Sequence, residues 1–371
     1  MKPILQVDLK AIYQHNKDEI DKAIKDVLES GWYILGRHVE AFEKEFSEWT
    51  KIPHVVSVAN GTDAVELSLR ACGVGYGDRV ATVSHTAVAT VSAIERIGAI
   101  PVFVDIDPNT MTLCPNHLET MIKNIDKPPK AVVPVHIYGQ MADMPALMDL
   151  SDRHSFYVIE DCAQAHGAKF NGKNAGSFGH LAAFSFYPTK NLGAFGDGGA
   201  IATMNSELSE KLRCLKQYGW RERNNSLISG VNSRMDEMQA AILNVLLKKL
   251  EGYNRTRQQI AAIYDDSKNP KITYPFRTRV PVSEHVFHQY VIRTKYRKSL
   301  QNWLENNQIQ TAVHYPIPVH LQTAYKNKYP IHMPLTVTEQ YAKEILSLPM
   351  NPYLSSDEMN SVAKALKAWN L

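Results

Sequence analysis

The sequence predicts an α/β protein: a largely parallel, seven-stranded sheet between helices, with a smaller α+β domain at the C-terminus. Three observations lead there. Seven short apolar runs, HVVSVA, RVATVS, PVFVDI, KAVVPVH, FYVIED, LAAFSF and GAIATM, fall between residues 54 and 204. Such runs, apolar on both faces and rich in β-branched residues, suit parallel strands covered by helices on each side. Helix-like stretches such as TDAVELSLRACG, TAVATVSAIERIG and MPALMDLSDRH alternate with the first five. From about residue 271 the alternation gives way to a different texture.

In chain order, Ile20, Ala23, Ile24, Val27 and Leu28 repeat at helical spacing and stop at Gly31, and Val39, Phe42, Phe46 and Trp49 do the same in a second helix. An α/β region follows from about 55 to 205, its last two runs flanking a Gly-rich loop. Beyond Met204 the chain reads as helical. MDEMQAAILNVLLKKLEGY is the strongest segment, apolar on more than one stripe and so expected to be buried against another element or subunit. HVFHQYVIRT reads as a strand, helices are expected near 297–306 and 355–368, and HYPIPVHL is a Pro-rich connection between them. Two units result: residues 1–250, the N-terminal helices with the large α/β domain, and residues 251–371, the small domain. At 371 residues the chain exceeds the ~100–200 of a single domain, in keeping with this division.

Composition excludes several functions. Lys and Arg total 41 against 38 Asp and Glu, a net charge of +3 with no block of one sign, which supports neither nucleic-acid nor membrane binding. The N-terminal apolar residues are interrupted by Gln6, Asp8 and Lys10, unlike a secretory signal. Cys72, Cys114, Cys162 and Cys214 are widely separated and form no C-x-x-C pair, so reduced thiols and a cytoplasmic protein are expected. No metal site is expected, because His314 with His320, or His285 with His288, lack further ligands at metal-binding spacing.

The chemistry concentrates in FSFYPTKNLGAFGDGG, residues 184–199, where Lys190 follows a strand among Ser185, Thr189 and several glycines. A loop lysine taken alone is a solvated charge. Asp161 alters the reading, because it closes the strand FYVIED at the C-terminal end, where open parallel sheets bind ligands. A carboxylate there needs a cation or hydrogen-bond donors. The protonated ring nitrogen of pyridoxal phosphate is one such partner, with Lys190 able to hold the cofactor aldehyde as a Schiff base; a structural ion pair is the other reading. In ANGTDAVELSLRACG, Asn60, Gly61 and Thr62 follow a strand and open a helix, which suits phosphate binding or plain N-capping.

These pieces, together with GWYILGRHVEAFE, SHTAVATVSAI, PVHIYGQ, EDCAQAHGA, GVNSRMDEMQAAIL and HYPIPVHLQ, resemble the DegT-type nucleotide-sugar aminotransferases, which are fold type I pyridoxal-phosphate enzymes, and the resemblance runs nearly end to end. It implies Lys190 as the Schiff-base lysine, Asp161 as partner of the pyridine nitrogen and Gln164 beside the phenolic oxygen of the cofactor. Gly61, Thr62 and Ser185 match phosphate contacts, and His85 matches the ring stacked on the pyridoxal face, with a satisfied loop histidine as the other reading. Asn232 matches a residue reaching the neighbouring subunit's phosphate, so a homodimer with shared sites is implied. Tyr187, Arg234, His314 and Tyr315 match the sugar side.

The implied reaction is amino transfer from L-glutamate to a nucleotide-linked keto sugar. NGTDA with HTAVAT and HYPIPVHLQ looks most like the 3-aminotransferases, which suggests conversion of a dTDP-3-keto-6-deoxyhexose to the dTDP-3-amino-3,6-dideoxyhexose. A UDP-3-keto-sugar or 4-keto-sugar aminotransferase is the alternative of the same class, and a pyridoxal-phosphate-binding regulatory protein the alternative of another. Related dehydratases carry His at the lysine position, and Lys190 argues against that chemistry.

Overall fold

The computed structural model describes residues 3–275 and 283–370. The seven apolar runs form one sheet: β1 (His54–Val58), β2 (Arg79–Val83), β3 (Ile100–Val104), β4 (Ala131–Val133), β5 (Tyr157–Asp161), β6 (Leu181–Ser185) and β7 (Gly199–Thr203). Their spatial order is β1-β7-β6-β5-β4-β2-β3. β2 pairs in parallel with β3 and β4, β4 with β5, and β5 with β6. β7 runs antiparallel to both β1 and β6, so it alone is reversed. The sheet is therefore the largely parallel one expected.

Both faces of these strands are buried, which is why the runs are continuously apolar rather than alternating. Ala81, Val83, Val158, Ala200 and Ala202 face one core with Phe42, Phe46 and Leu243, whereas Val80, Ile159, Ile201 and Val56 face a second core with Leu67 and Leu69. The N-terminal region holds three helices, Leu9–His15, Lys17–Ser30 and Arg37–Thr50. Gly31 ends the second at φ +63°, a conformation that favours glycine, with its N–H bonded to the Leu28 carbonyl.

The helix Glu237–Leu247 packs against both Lys17–Ser30 and Arg37–Thr50, which accounts for its more than one apolar stripe. Glu237 is 1% exposed and accepts the N–H groups of Gly36, His38 and Val39, each at 2.9 Å. It thus serves as a cap supplied from a distant part of the chain for the helix Arg37–Thr50. The single helical run expected after Asn232 is two helices, because the chain turns at Lys248–Lys249 before Leu250–Asp265.

A third core gathers Ile260, Ala261 and Tyr264 of that helix with Tyr290, Ile292, Leu300, Leu304, Leu346, Leu348, Val362 and Leu366. Its framework is the antiparallel pair Tyr290–Arg293 and Ile345–Leu348 with the helices Arg297–Asn306 and Ser356–Ala368. Ile4 belongs to this core too, bridging to Ile309, so the start of the chain is attached to the C-terminal unit. The helices Pro115–Asn124 and Thr336–Glu344 have no counterpart in the sequence reading. Among the described residues no helix is long and apolar enough to cross a membrane, and the four cysteines are free.

Candidate active site

Strand order decides which residues meet. Gly199 pairs with Val58 on one side and Ser185 on the other, so the ends of β1 and β6 converge on the start of β7. A Cβ on Gly199 would lie 2.4 Å from the Asn60 carbonyl oxygen, so only glycine permits this approach. β5 lies next to β6, which brings Asp161 to the same edge. A cavity of about 460 Å³ opens there, lined by Asn60, Gly61, Thr62, Thr86, Ala87, Thr90, Asp161, Gln164, Ser185, Tyr187, Thr189, Lys190, Asp197, His288, Gln289, His314 and Tyr315, among others.

Asn60 opens the helix Gly61–Ala71, its side chain accepting the Asp63 N–H at 2.8 Å. A Cβ on Gly61 would lie 2.5 Å from the Ser185 Cβ, so Gly61, Thr62 and the Ser185 hydroxyl form a close-walled cradle at a helix N-terminus. The backbone N–H groups and dipole of such a terminus suit a phosphate. N-capping falls to Asn60, and the cradle beside it at Gly61 and Thr62 has the shape and polarity a phosphate requires.

Asp161 is buried and forms no ion pair among the described residues. The Thr90 hydroxyl donates to its Oδ2 at 2.8 Å, and the Ala163 N–H to its Oδ1 at 3.2 Å. A buried carboxyl group whose hydrogen-bond donors are all neutral, in a partly apolar cavity, is a ready partner for a cation such as a protonated pyridine nitrogen.

Lys190 sits at the tip of a loop closed on itself by bonds from Lys190 N to Tyr187 O at 2.8 Å and Ala194 N to Phe186 O at 2.7 Å. The residue retains some surface, but its amine is enclosed, and this desolvation lowers its pKa from 10.5 to about 8 against the opposing pull of Asp161. Three buried or largely buried histidines, His166, His288 and His314, feel the Lys190 charge and are pushed down by burial first, His166 to about 3, so they stay neutral around it.

The cradle, the unpaired carboxylate and the water-poor amine in one cavity fit pyridoxal phosphate, with its phosphate, its basic ring nitrogen and its aldehyde. Gln164 is fixed at both ends: its Oε1 accepts the Tyr138 N–H at 2.7 Å and its Nε2 donates to the Tyr315 hydroxyl at 3.3 Å. His314 Nδ1 lies 2.8 Å from Ser347 Oγ. Tyr187 is half exposed on the rim.

Three of the sequence-derived residues lie apart from the lining. His85 is 1% exposed and packs edge-on to Tyr138, with Thr86 and Ala87 reaching the cavity in its place. Asn232 is exposed and Arg234 half-buried. Between them, Ser233 donates to Asp63 Oδ2 at 2.6 Å and accepts the Ala59 N–H at 3.0 Å, which ties their segment to the back of the phosphate cradle. Thr90, Asp197, His288 and Gln289 also line the cavity, and nothing local in the sequence marks them: the Asp161 partner of Thr90 is 71 positions away.

The sequence matches the profile of the DegT/DnrJ/EryC1/StrS aminotransferase family over residues 14–367. A dTDP-3-amino-3,4,6-trideoxy-alpha-D-glucose transaminase of Streptomyces venezuelae is 43% identical, over 98% of this chain and 95% of its own. A dTDP-3-amino-3,6-dideoxy-alpha-D-galactopyranose transaminase of Aneurinibacillus thermoaerophilus is 44% identical, over 98% of each chain. The crystal structure of S. venezuelae DesV in complex with a ketimine intermediate superposes with a TM-score of 0.95 at 42% identity, covering 100% of this chain and 99% of that one. With fold, cavity and sequence in agreement over almost the whole length, the chain belongs to the DegT/DnrJ/EryC1/StrS aminotransferase family.

Proposed function

We propose that this protein transfers an amino group from L-glutamate to C3 of a dTDP-linked 3-keto-6-deoxyhexose, giving the dTDP-3-amino-3,6-dideoxyhexose, with pyridoxal phosphate as cofactor. The observation that carries the reading is the desolvated Lys190 amine in one cavity with the Asp161 carboxylate and the Gly61–Ser185 cradle. The substrate class is supported by two relatives above 40% identity that are named for dTDP-3-amino deoxy sugars.

When bound, pyridoxal phosphate supplies an aldehyde that carries an amino group and a ring that takes up electrons. Gly61, Thr62 and Ser185 would hold its phosphate, Asp161 would keep a proton on the ring nitrogen, and Gln164 would be the side chain nearest its phenolic oxygen. Lys190 would anchor it through its amine, and that amine, with a pKa of about 8 in this pocket and so a useful neutral fraction near physiological pH, would be the group able to take and return a proton beside the reacting carbon. Tyr187, His314 and Tyr315 would form the sugar side, and Arg234, although outside this chain's cavity lining, is the guanidinium assigned to the diphosphate.

The same reading includes a homodimer in which Asn232 serves the partner's phosphate. Exposed Trp32, Tyr33 and Ile34 support it, since Ile34 bridges to Asp236, as do Tyr218, Leu227 and Ile228 beside the Gln217–Asn232 bridge. The four free cysteines suit a cytoplasmic setting. The deciding experiment offers the protein dTDP- and UDP-linked 3-keto and 4-keto sugars with glutamate and identifies the amino sugar by mass and NMR. Amination of the dTDP-3-keto sugar is expected; turnover of only a UDP-linked or 4-keto substrate would replace the sugar assignment.

A further inference from the structure

The turn Ile137–Gly139 follows β4, and nothing in the chemistry above uses its central residue. Tyr138 is 4% exposed and sits at φ +62°, ψ 0°, a left-handed conformation that favours glycine. Such a conformation persists at a non-glycine residue when its surroundings over-determine it. Here the surroundings are several walls of the cavity. The Tyr138 N–H donates to Gln164 Oε1 at 2.7 Å, and its carbonyl accepts the Gln289 N–H at 3.2 Å. Its hydroxyl donates to the His314 carbonyl, and the same oxygen lies 2.7 Å from His85 Nε2.

The proton positions follow from what each group can do. A carbonyl only accepts, so the single phenol proton is committed to His314. His85 must then be the donor, with its hydrogen on Nε2, and its burial, which lowers its pKa to about 4, keeps the ring neutral. Gln164 is held by the Tyr138 backbone and itself holds the Tyr315 hydroxyl. One buried residue therefore grips the His314–Tyr315 segment through its hydroxyl and, through Gln164, through its backbone.

We propose that Tyr138, backed by His85, is a positioning residue for the keto-sugar half-reaction: it pins the His314–Tyr315 segment of the C-terminal region to the end of β5 at Asp161 and the loop beyond it that carries Gln164, and so sets the sugar side of the cavity. This rests on the assignment of His314 and Tyr315 to that side. It also gives His85 a role from behind the cavity wall.

The test is Tyr138→Phe in the holoenzyme, which removes only the hydroxyl. Two measurements are made. Amide hydrogen exchange across residues 311–322 should quicken by about tenfold, the equivalent of one lost hydrogen bond, with β5 as the unchanged internal control. In single-turnover kinetics, the keto-sugar half-reaction should slow by at least about tenfold more than the glutamate half-reaction, chiefly as a weaker KM, a split that general destabilisation would not produce. His85→Ala should move both readouts the same way to a smaller extent, and the double variant should be no worse than Tyr138→Phe alone. Unchanged exchange at 311–322, equal slowing of both half-reactions, or additive losses would overturn the proposal. If the wild type aminates no nucleotide keto sugar, the sugar assignment fails while the exchange measurement still decides the role of Tyr138.

Discussion

Lys190 must be uncharged to attack an aldehyde, and its surroundings favour that state. With its pKa lowered from 10.5 to about 8, the amine is half neutral near pH 8 and nearly all neutral about one pH unit higher. Capture of pyridoxal phosphate by the apo chain should therefore accelerate with a midpoint near pH 8 and then level off, whereas the midpoint for a solvated lysine would lie at ~10.4. Asp161 favours the charged amine, so Asp161→Asn should move the midpoint lower still; stopped-flow absorbance across pH reads both. Lys190→Arg should bind no cofactor covalently and turn over nothing, because a guanidinium does not form the imine. Asp161→Asn should also slow the glutamate half-reaction by about a hundredfold or more while the cradle keeps the cofactor bound. An unchanged single-turnover rate would mean that another group protonates the ring. Gly61→Ala should weaken cofactor affinity directly, since its new methyl meets the Ser185 Cβ at 2.5 Å; equilibrium dialysis would show it.

Among the elements, the helix Arg37–Thr50 starts without a cap from its own sequence: Gly36 provides no side chain, and Glu237 reaches in from another helix. Replacing Glu237 with Ala leaves three donors without their partner, the buried Val39 N–H and the part-buried N–H groups of Gly36 and His38, and should cost about 2 kcal/mol of stability, read as a lower unfolding midpoint. The helix Ser356–Ala368 is the opposite case. Ser355 and Glu358 form a reciprocal cap within four residues, and Ser355→Ala should cost only about 1 kcal/mol with no effect on transamination. This local cap depends on residues 3 positions apart in the chain, the remote one on a residue 201 positions from Gly36. MPALMDLSDRH, whose apolar spacing predicts a helix, is one from Met144 to His154. The apolar spacing of MDEMQAAILNVLLKKLEGY carries no mark of the break at Lys248–Lys249 that divides it between two helices.

For the molecule as a whole, the proposed sharing of the site between two subunits makes a prediction that no monomer can meet. Lys190→Ala and an Asn232→Ala variant should each be inactive. Mixed under conditions of subunit exchange, they should regain activity towards one working site per heterodimer, because both defects then fall in the same site and the other is intact. Heterodimers verified by mass but as inactive as their parents would place Asn232 within its own subunit. The exposed Trp32 and Tyr33 offer an independent check: charged substitutions at both should lower the association constant in sedimentation before they affect the fold.

The sequence by itself determined the α/β class, the seven strands, most helices and the family, because these rest on periodicity, on ordered motifs and on the residue types a reaction requires. Lys190 and Asp161 stood out because a lysine in a glycine loop and a carboxylate at a strand end are unusual in their local context. Only the tertiary structure decided what surrounds them. Thr90 reaches Asp161 because β2 lies one strand removed from β5, and Gly61 meets Ser185 because β7 is reversed between β1 and β6. His85 turns to Tyr138, and Ile4 joins the C-terminal core. Each of these depends on strand order and burial, which bring together residues tens to hundreds of positions apart, and a local pattern carries no record of which distant side chain will close a hydrogen bond.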